Sequence, residues 1–397
     1  MNAPPAIAMV WDDMTRLGGV NTWLYQCVDG LPRRGLDTWL LDFGAAESGQ
    51  VDVSRWRRRI LTLRPGPWEG AAGFRRRVRR ELEARGIRLL VFHEHRFGED
   101  VLDCLPPGFP AVNILHVDRP DPRYLELALA LDPLLDEQYC VSPRLLEKFQ
   151  PLLPPGRRGR VFFLPLGVDI PPASPARPPA AASPLRLVYA GRIAREQKRI
   201  QDLPVFARAL REAGVPFELE VFGDGPDLES LRTAAADLGD RVRIHGSGPQ
   251  AEILDALGRA HLLLLFSDYE GLPLVLLEAM ARSVVPLVTR IRSGVGDLVA
   301  DGVNARLFDP GQPAAAAAIA LELARDPAAF AAMAAAARTT AEAYDLERCM
   351  DAYASHFRPL AARATAGGPA RADLRRPAGW KQRLADHLPR RWLEKTP

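Results

Sequence analysis

The chain reads as a long alternation of short apolar runs and longer segments in which apolar positions recur every three or four residues. Ala6–Trp11, Asp37–Phe43, Leu89–His93 and Val112–Val117 are strand-like runs, followed by Tyr139–Val141 and Val161–Leu164. A second set begins at Leu185–Ala190 and continues with Phe217–Phe222, Val242–His245 and His261–Phe266. Runs with little internal polarity are what strands buried on both faces require, and intervening helical segments imply parallel pairing. An amphipathic helix is expected from Asn21 to about Arg34. Alanine-rich helices are expected over Pro313–Ala343 with a break at Asp326-Pro327, and a last helix over Leu346–Phe357. The predicted fold class is α/β, with doubly wound parallel sheets.

One stretch departs from this rhythm. After the strand ending at Phe266 come a turn cluster, Glu270-Gly271-Leu272-Pro273, and an apolar helix in which Glu278 is the only charge from Leu274 to Ala281. A helix with almost no polar face is buried, so Glu278 needs hydrogen-bond donors. Pro273 sits where a proline at the first helical position is tolerated. Backbone N–H groups of Gly271 and Leu272 would face an anion above the strand end, and Glu278 would accept the hydroxyls of a vicinal diol such as a ribose. A purely structural alternative has Glu270 capping the helix and Glu278 paired with Arg282. Spacing leaves both open.

Length and composition narrow the picture. With 397 residues, two domains are expected, and a net charge of +3 does not suggest nucleic acid. Cys27, Cys104, Cys140 and Cys349 lack C-x-x-C spacing, which points to buried reduced thiols. The N-terminus lacks a basic leader followed by an apolar core, and no run reaches the roughly 20 apolar residues that span a bilayer. A cytoplasmic protein is expected, peripheral on the cytosolic membrane face at most. Two basic regions bear on that qualification. Arginines 55, 57–59, 75–77, 79 and 80 are interleaved with Trp56, Trp68 and Phe74, and a tail carries Trp380, Leu384, Leu388 and Trp392 among Lys381, Arg383, Arg390 and Arg391. Each is either a solvated or docked helix face or a surface for anionic headgroups.

Several further residues sit where open α/β sheets place ligands, at carboxyl ends of strands. Gly18-Gly19 follows the first strand, where a tight turn is the simpler meaning. His116 follows the fourth strand, and His93-Glu94-His95 the third; with no third metal ligand in view, the latter reads as histidines packed in a cleft. Gly191-Arg192 opens after Leu185–Ala190 with Lys198 beyond it, a forked and a compact cation suited to phosphate oxygens. Gly223-Asp224-Gly225 is too short for a dinucleotide fingerprint, and His245 reads as structural.

The order Glu270, Gly271, Leu272, Pro273, Glu278, Ala279, Met280, Ala281 resembles the E-x7-E signature of family 4 glycosyltransferases, retaining enzymes of the GT-B fold. Pro165-Leu166-Gly167-Val168-Asp169 and the Gly191-Arg192…Lys198 pattern are similar to other segments of that family. Ser283 and Ser293-Gly294 depart from its usual glycine and Gly-Gly. The resemblance implies two Rossmann-like domains facing a central cleft. Their boundaries would be an acceptor-side domain at 1–168 joined by a helix at 346–361, a linker at 169–184, a nucleotide-sugar domain at 185–345, and a basic tail at 362–397. It implies transfer of a sugar from a UDP-, GDP- or similar nucleotide sugar to an acceptor hydroxyl on a glycan, a lipid-linked glycan or a small molecule, with no metal and no cofactor. Glu270, His116, Arg192 and Lys198 would serve the chemistry. Gly18, Gly19, Gly271, Leu272, Pro273 and Glu278, with Arg192 and Lys198, would bind the donor. A nucleotide-sugar 2-epimerase and a non-catalytic sugar-nucleotide-binding protein share these features.

Overall fold

A computed structural model describes residues 4–16, 18–44, 48–94, 105, 108–118, 121, 123–172 and 183–363. The tail around Trp380 to Trp392, together with His95, Cys104 and most of the proline-rich linker, lies outside the described residues.

The N-terminal half contains strands β1 (Ala6–Trp11), β2 (Asp37–Asp42), β3 (Ile60–Thr62), β4 (Ile87–His93), β5 (Ala111–Leu115), β6 (Glu137–Cys140) and β7 (Val161–Phe163). Its helices are α1 (Gly19–Gly30), α2 (Ala71–Ala84), α3 (Arg123–Leu131), α4 (Pro143–Phe149) and α5 (Pro155–Arg158). In the C-terminal half come β8 (Leu185–Ala190), α6 (Arg195–Lys198), α7 (Asp202–Glu212), β9 (Phe217–Phe222), α8 (Leu228–Ala235) and β10 (Val242–Gly246). They are followed by α9 (Gln250–Arg259), β11 (Leu262–Leu265), α10 (Leu274–Met280), β12 (Val285–Thr289), β13 (Arg306–Phe308), α11 (Pro313–Arg325), α12 (Pro327–Glu342) and α13 (Leu346–Arg363). Seven strands pair in the order β3-β2-β1-β4-β5-β6-β7 and six in the order β10-β9-β8-β11-β12-β13. The β1–β2 and β1–β4 pairs and the β8–β9 and β8–β11 pairs are all parallel. This is the architecture the GT-B resemblance implies.

Both faces of each sheet are covered, for a reason visible in the strands. In β1, Ile7, Met9 and Trp11 belong to one buried cluster while Ala6, Ala8 and Val10 belong to another, because successive side chains point to opposite faces. The first of these clusters also takes in Val188 and Leu263 of the second sheet, so one apolar core runs between the halves.

The chain crosses between the sheets twice, and the crossings lie side by side. Val168 bridges Asp345, with Val168 N–H donating to Tyr344 and Leu346 N–H to Val168. Gly167 is required there, since a Cβ would sit 2.7 Å from the Leu346 Cα. Beyond the second crossing, α13 returns to the first sheet. Arg34 grips it through Glu347 at 2.9 Å and Asp351 at 2.6 Å, and Trp23 packs on Tyr353 with ring centroids 5.0 Å apart.

Three expectations change at the level of elements. The first helix ends at Gly30 and continues as a 3-10 turn over Leu31–Arg34, because Pro32 offers no N–H to an α-helical ladder. Pro273 caps α10 from outside, its ψ of 110° being extended, rather than opening the helix. The basic region is not one helical face: β3 interrupts it, Arg55 pairs with Asp29 at 2.9 Å, Arg59 with Asp37 at 2.5 Å and Arg77 with Glu69 at 2.7 Å.

Candidate active site

Three loops from the C-terminal sheet meet two from the N-terminal sheet. The loop after β8 carries Gly191 and Arg192 and leads into the single turn of α6, which ends at Lys198. That turn is tied to the loop after β11: Asp268 N–H donates to the Gln197 carbonyl at 2.9 Å, and Arg199 reaches Asp268 at 3.0 Å. Arg199 holds a left-handed backbone, φ 43°, to make the bend. The bracing brings Lys198 Nζ to 2.5 Å from Glu270 Oε1, which also accepts from Ser267 Oγ at 2.6 Å. Glu270 is 5% exposed, so its charge is balanced by an ammonium inside the protein. Arg192 is exposed and makes no ion pair among the described residues. It lies close in sequence to Gly191, whose Cα region faces the Lys198 side chain.

Glu278 lies on α10 with its carboxylate buried. It accepts from Gln250 Nε2 at 2.6 Å, at the start of α9. Arg282 donates to the Glu278 backbone carbonyl at 3.0 Å rather than to its carboxylate. Burial, opposed by the nearby Arg282 charge and reinforced by Asp169, pushes the Glu278 carboxyl up to about 7. Both structural alternatives for the glutamates therefore fail in detail: Glu270 does not cap α10, and Glu278 does not pair with Arg282 through its side chain. Ser267 and Gln250, the partners found instead, have no signature in the sequence.

From the other side come Gly18-Gly19 and the β5 loop. The Gly18-Gly19 turn opens α1, and a Cβ on Gly18 would meet nothing within 4 Å, whereas one on Gly19 would touch Leu274 of α10 at 3.8 Å. Buried Asp13 organises this turn from below, accepting from the Thr15 N–H at 2.9 Å and hydroxyl at 2.7 Å, and from the Ser48 N–H at 3.2 Å. The β5 loop makes the closest approach. Val117 forms an antiparallel bridge with Gly271, and Asp118 N–H donates to the Glu270 carbonyl. A Cβ on Gly271 would lie 1.6 Å from the His116 carbonyl oxygen, so only glycine fits. Gly271 thereby lets two backbones touch. Leu272 and Pro273 lie buried against this seam. Gly294 continues it, its Cα facing Ser142 across the halves.

His116 is buried beside His93, with Nε2 of the former 2.7 Å from Nδ1 of the latter. Burial lowers both imidazoles, His116 to about 3, and each is neutral. His95, the other histidine expected at the end of β4, lies outside the described residues, and the partner found for His93 is His116 at the end of the neighbouring strand. His245, on the edge strand β10, stacks on Phe222 with centroids 4.4 Å apart and lies 3.2 Å from Glu220. Among the described residues no three His, Cys, Asp or Glu side chains gather as metal ligands would, and no helix is long and apolar enough to cross a membrane. Cys27, Cys140 and Cys349 are buried free thiols.

Residues 173–340 match the family model described as glycosyl transferases group 1. That segment belongs to the family. The chain is 34% identical over 139 residues to a lipopolysaccharide 1,6-galactosyltransferase of Salmonella typhimurium, covering 34% of this chain and 38% of that protein. It is 37% identical over 172 residues to the amylovoran biosynthesis glycosyltransferase AmsK of Erwinia amylovora, covering 41% and 42%. The match thus spans about two fifths of the length of these relatives. The fold extends further: Anabaena Alr3699/HepE, solved with UDP and glucose, superposes with a TM-score of 0.70 at 17% identity over 89% of this chain and 99% of that one.

The two departures from the glycosyltransferase pattern now have local accounts. Ser283 ends α10 in a left-handed conformation, φ 60°, with Val284 N–H donating back to Ala279, the turn for which glycine is usual. Ser293 replaces a glycine at an extended position, φ −145°, where a side chain costs nothing and its hydroxyl accepts from Val295 N–H.

Proposed function

We propose that the chain is a retaining glycosyltransferase that moves a sugar from a nucleoside diphosphate to an acceptor hydroxyl. The observation carrying this reading is the buried Lys198–Glu270 pair, 2.5 Å apart, beside unpaired Arg192 and under the seam where His116 backs onto Gly271. Departure of the diphosphate leaves an oxocarbenium-like carbon and a growing negative charge. Lys198 and Arg192 are the cations that stabilise that charge where it forms, in a site partly shielded from water. Glu270, held by Lys198 and Ser267, faces the sugar near the reacting carbon. Glu278, presented by Gln250, accepts the ribose hydroxyls. His116 contacts the sugar from the opposite side, with Gly18 and Gly19 leaving room above α10 for donor and acceptor. Gly271, Leu272 and Pro273 shape the floor between them.

In this reading residues 1–168, with α13 crossing back, form the acceptor side, 169–184 the linker and 185–345 the donor side. The UDP and glucose held by Anabaena HepE make UDP-hexoses the first donors to try, and the lipopolysaccharide and amylovoran relatives favour a glycan or lipid-linked acceptor. A lipid-linked acceptor fits one surface feature. Trp68, in the turn before α2, is 98% exposed, with Arg57, Arg58, Arg75, Arg76, Arg79 and Arg80 exposed around the neighbouring elements. An indole with basic neighbours suits an anionic headgroup layer. Cosedimentation with anionic vesicles that falls for Trp68→Ala checks this surface.

The main test is a thermal-shift panel of nucleotide sugars. A donor at 100 times its Kd adds about 2.7 kcal/mol to the native state, and the shift should shrink in Lys198→Ala. The anomeric configuration of the product, read by NMR, then checks retention. Lack of stabilisation by any nucleotide sugar overturns the reading; isomerisation of the donor without acceptor replaces it with a 2-epimerase.

A further inference from the structure

His93 has no assigned part in the chemistry, yet it is fully buried and touches His116, the one histidine among the described residues that reaches the seam. We propose that His93 is a positioning residue: it fixes which nitrogen of His116 carries the proton, and so presents His116 Nδ1 as a hydrogen-bond acceptor for a substrate hydroxyl. This rests on the reading of His116 as a residue of the glycosyl-transfer site.

The geometry is that of an in-plane N–H···N bond. The nitrogens are 2.7 Å apart, the ring planes differ by 19°, and the centroids are 5.0 Å apart, so the rings meet edge to edge rather than face to face. Adjacent strands set this up: His93 closes β4 opposite Ile114 of β5, and His116 stands just past the end of β5. Trp11 packs at 86° to the His93 ring and limits its rotation.

Proton counting gives the consequence. Two neutral imidazoles carry two N–H groups, and one lies in the contact. Because the contacting atoms are Nδ1 of His93 and Nε2 of His116, both rings must carry their protons on the same-named nitrogen. Either both are Nε2–H, and His116 donates to His93, or both are Nδ1–H, and His93 donates to His116. Free imidazole side chains favour the Nε2–H form, which leaves the His116 Nδ1 lone pair open. The outer nitrogens, His93 Nε2 and His116 Nδ1, are buried and have no hydrogen-bond partner among the described residues. Unsatisfied buried polar atoms are rare enough to call for a partner. The His116 end is the one nearer substrate, since His116 keeps 5% of its surface exposed whereas His93 keeps none. A sugar or acceptor hydroxyl donating to Nδ1 completes the chain of hydrogen bonds.

The test uses the full chain with 15N-labelled histidine. Ring 15N shifts should show Nε2 protonated and Nδ1 bare in both His93 and His116. In His93→Leu, the His116 signal should become a tautomer mixture, with kcat falling about tenfold or more at nearly unchanged donor KM. His93→Asn, whose amide oxygen can stand near the Nδ1 position, should restore most of kcat. An Nδ1-protonated His116 in the wild type overturns the proposal without any variant, as does a folded His93→Leu enzyme with wild-type kcat. If His116→Ala also leaves kcat unchanged, it is the placing of His116 in the active site that fails; if only the His93 variants are silent, the positioning role alone fails.

Discussion

The two sheets put different chemistry at the same topological place. At the strand ends of the C-terminal sheet charged groups are paired: Glu270 with Lys198 and Ser267, Glu278 with Gln250, Arg199 with Asp202 and Asp268. At the strand ends of the N-terminal sheet facing them, the groups nearest the seam are two glycines, a backbone carbonyl, a neutral histidine pair and one carboxylate, Asp118, held by Lys148 at 2.6 Å. A leaving diphosphate needs fixed cations, whereas a carbon passing through positive charge gains nothing from a cation on its other side.

Removing the charge on one side should have the largest effect. Lys198→Ala should lower kcat by roughly 10²–10³-fold, the scale of one preorganised donor to a developing anion, with little loss of folding. An unchanged kcat would falsify the phosphate assignment.

Next comes the seam itself. Gly271→Ala places a methyl carbon on the His116 carbonyl, forcing the two sides apart; a misplacement of about 1 Å can cost about 10²-fold. Steady-state kinetics should show kcat/KM falling by tens-fold while Ser293→Gly, beside the same seam but free of contact strain, stays near wild type.

A smaller effect concerns pH. The Glu278 carboxyl sits near 7 when folded, against an ordinary 4.5, so between those values the folded protein holds more protons than the unfolded chain. Stability of the donor-free protein should therefore fall as pH rises from 4.5 to about 7, a slope absent in Glu278→Gln. If the diol binds the ionised form, donor affinity should weaken by up to about tenfold per pH unit below 7. Calorimetric titration across that range checks both the affinity and the proton released.

The smallest expected change is a gain. Ser283→Gly removes a left-handed serine and should stabilise the protein by about 1 kcal/mol, read as a higher Tm, without altering kinetics.

How much of this was legible in the sequence differs between the halves. β8 and β9 fall on the residues expected, Leu185–Ala190 and Phe217–Phe222, because their apolar residues are broken only by Arg186 in the first and alternate with Glu218 and Glu220 in the second, as strand faces do. The helix with Glu278 was visible because one charge in an apolar run demands a partner. Short strands were hidden: β3 sits inside an arginine-rich stretch, and β12 and β13 flank a glycine-rich turn without periodicity of their own. The site's contacts were hidden for another reason. Lys198 and Glu270 are 72 residues apart, and Gln250 lies 28 from Glu278; periodicity assigns a residue to a face, never to a partner on another loop. His93 and His116 could each be placed at a strand end, yet their shared proton depends on ring rotation across neighbouring strands. Gly271 was read as a backbone freed for a ligand, and the further reason for glycine there is the other half of the molecule.

The return of α13 to the first sheet has a bearing on how the chain is made. Trp23, Tyr139 and Leu164 are covered by Tyr353 and Phe357, which leave the ribosome only after the whole second sheet has been synthesised. During translation the first sheet stands complete in its strands but open along the groove that α13 will fill, while the second can finish folding ahead of it. The half that starts first is sealed last, and a nascent chain stalled before Leu346 would expose that aromatic groove to chaperones.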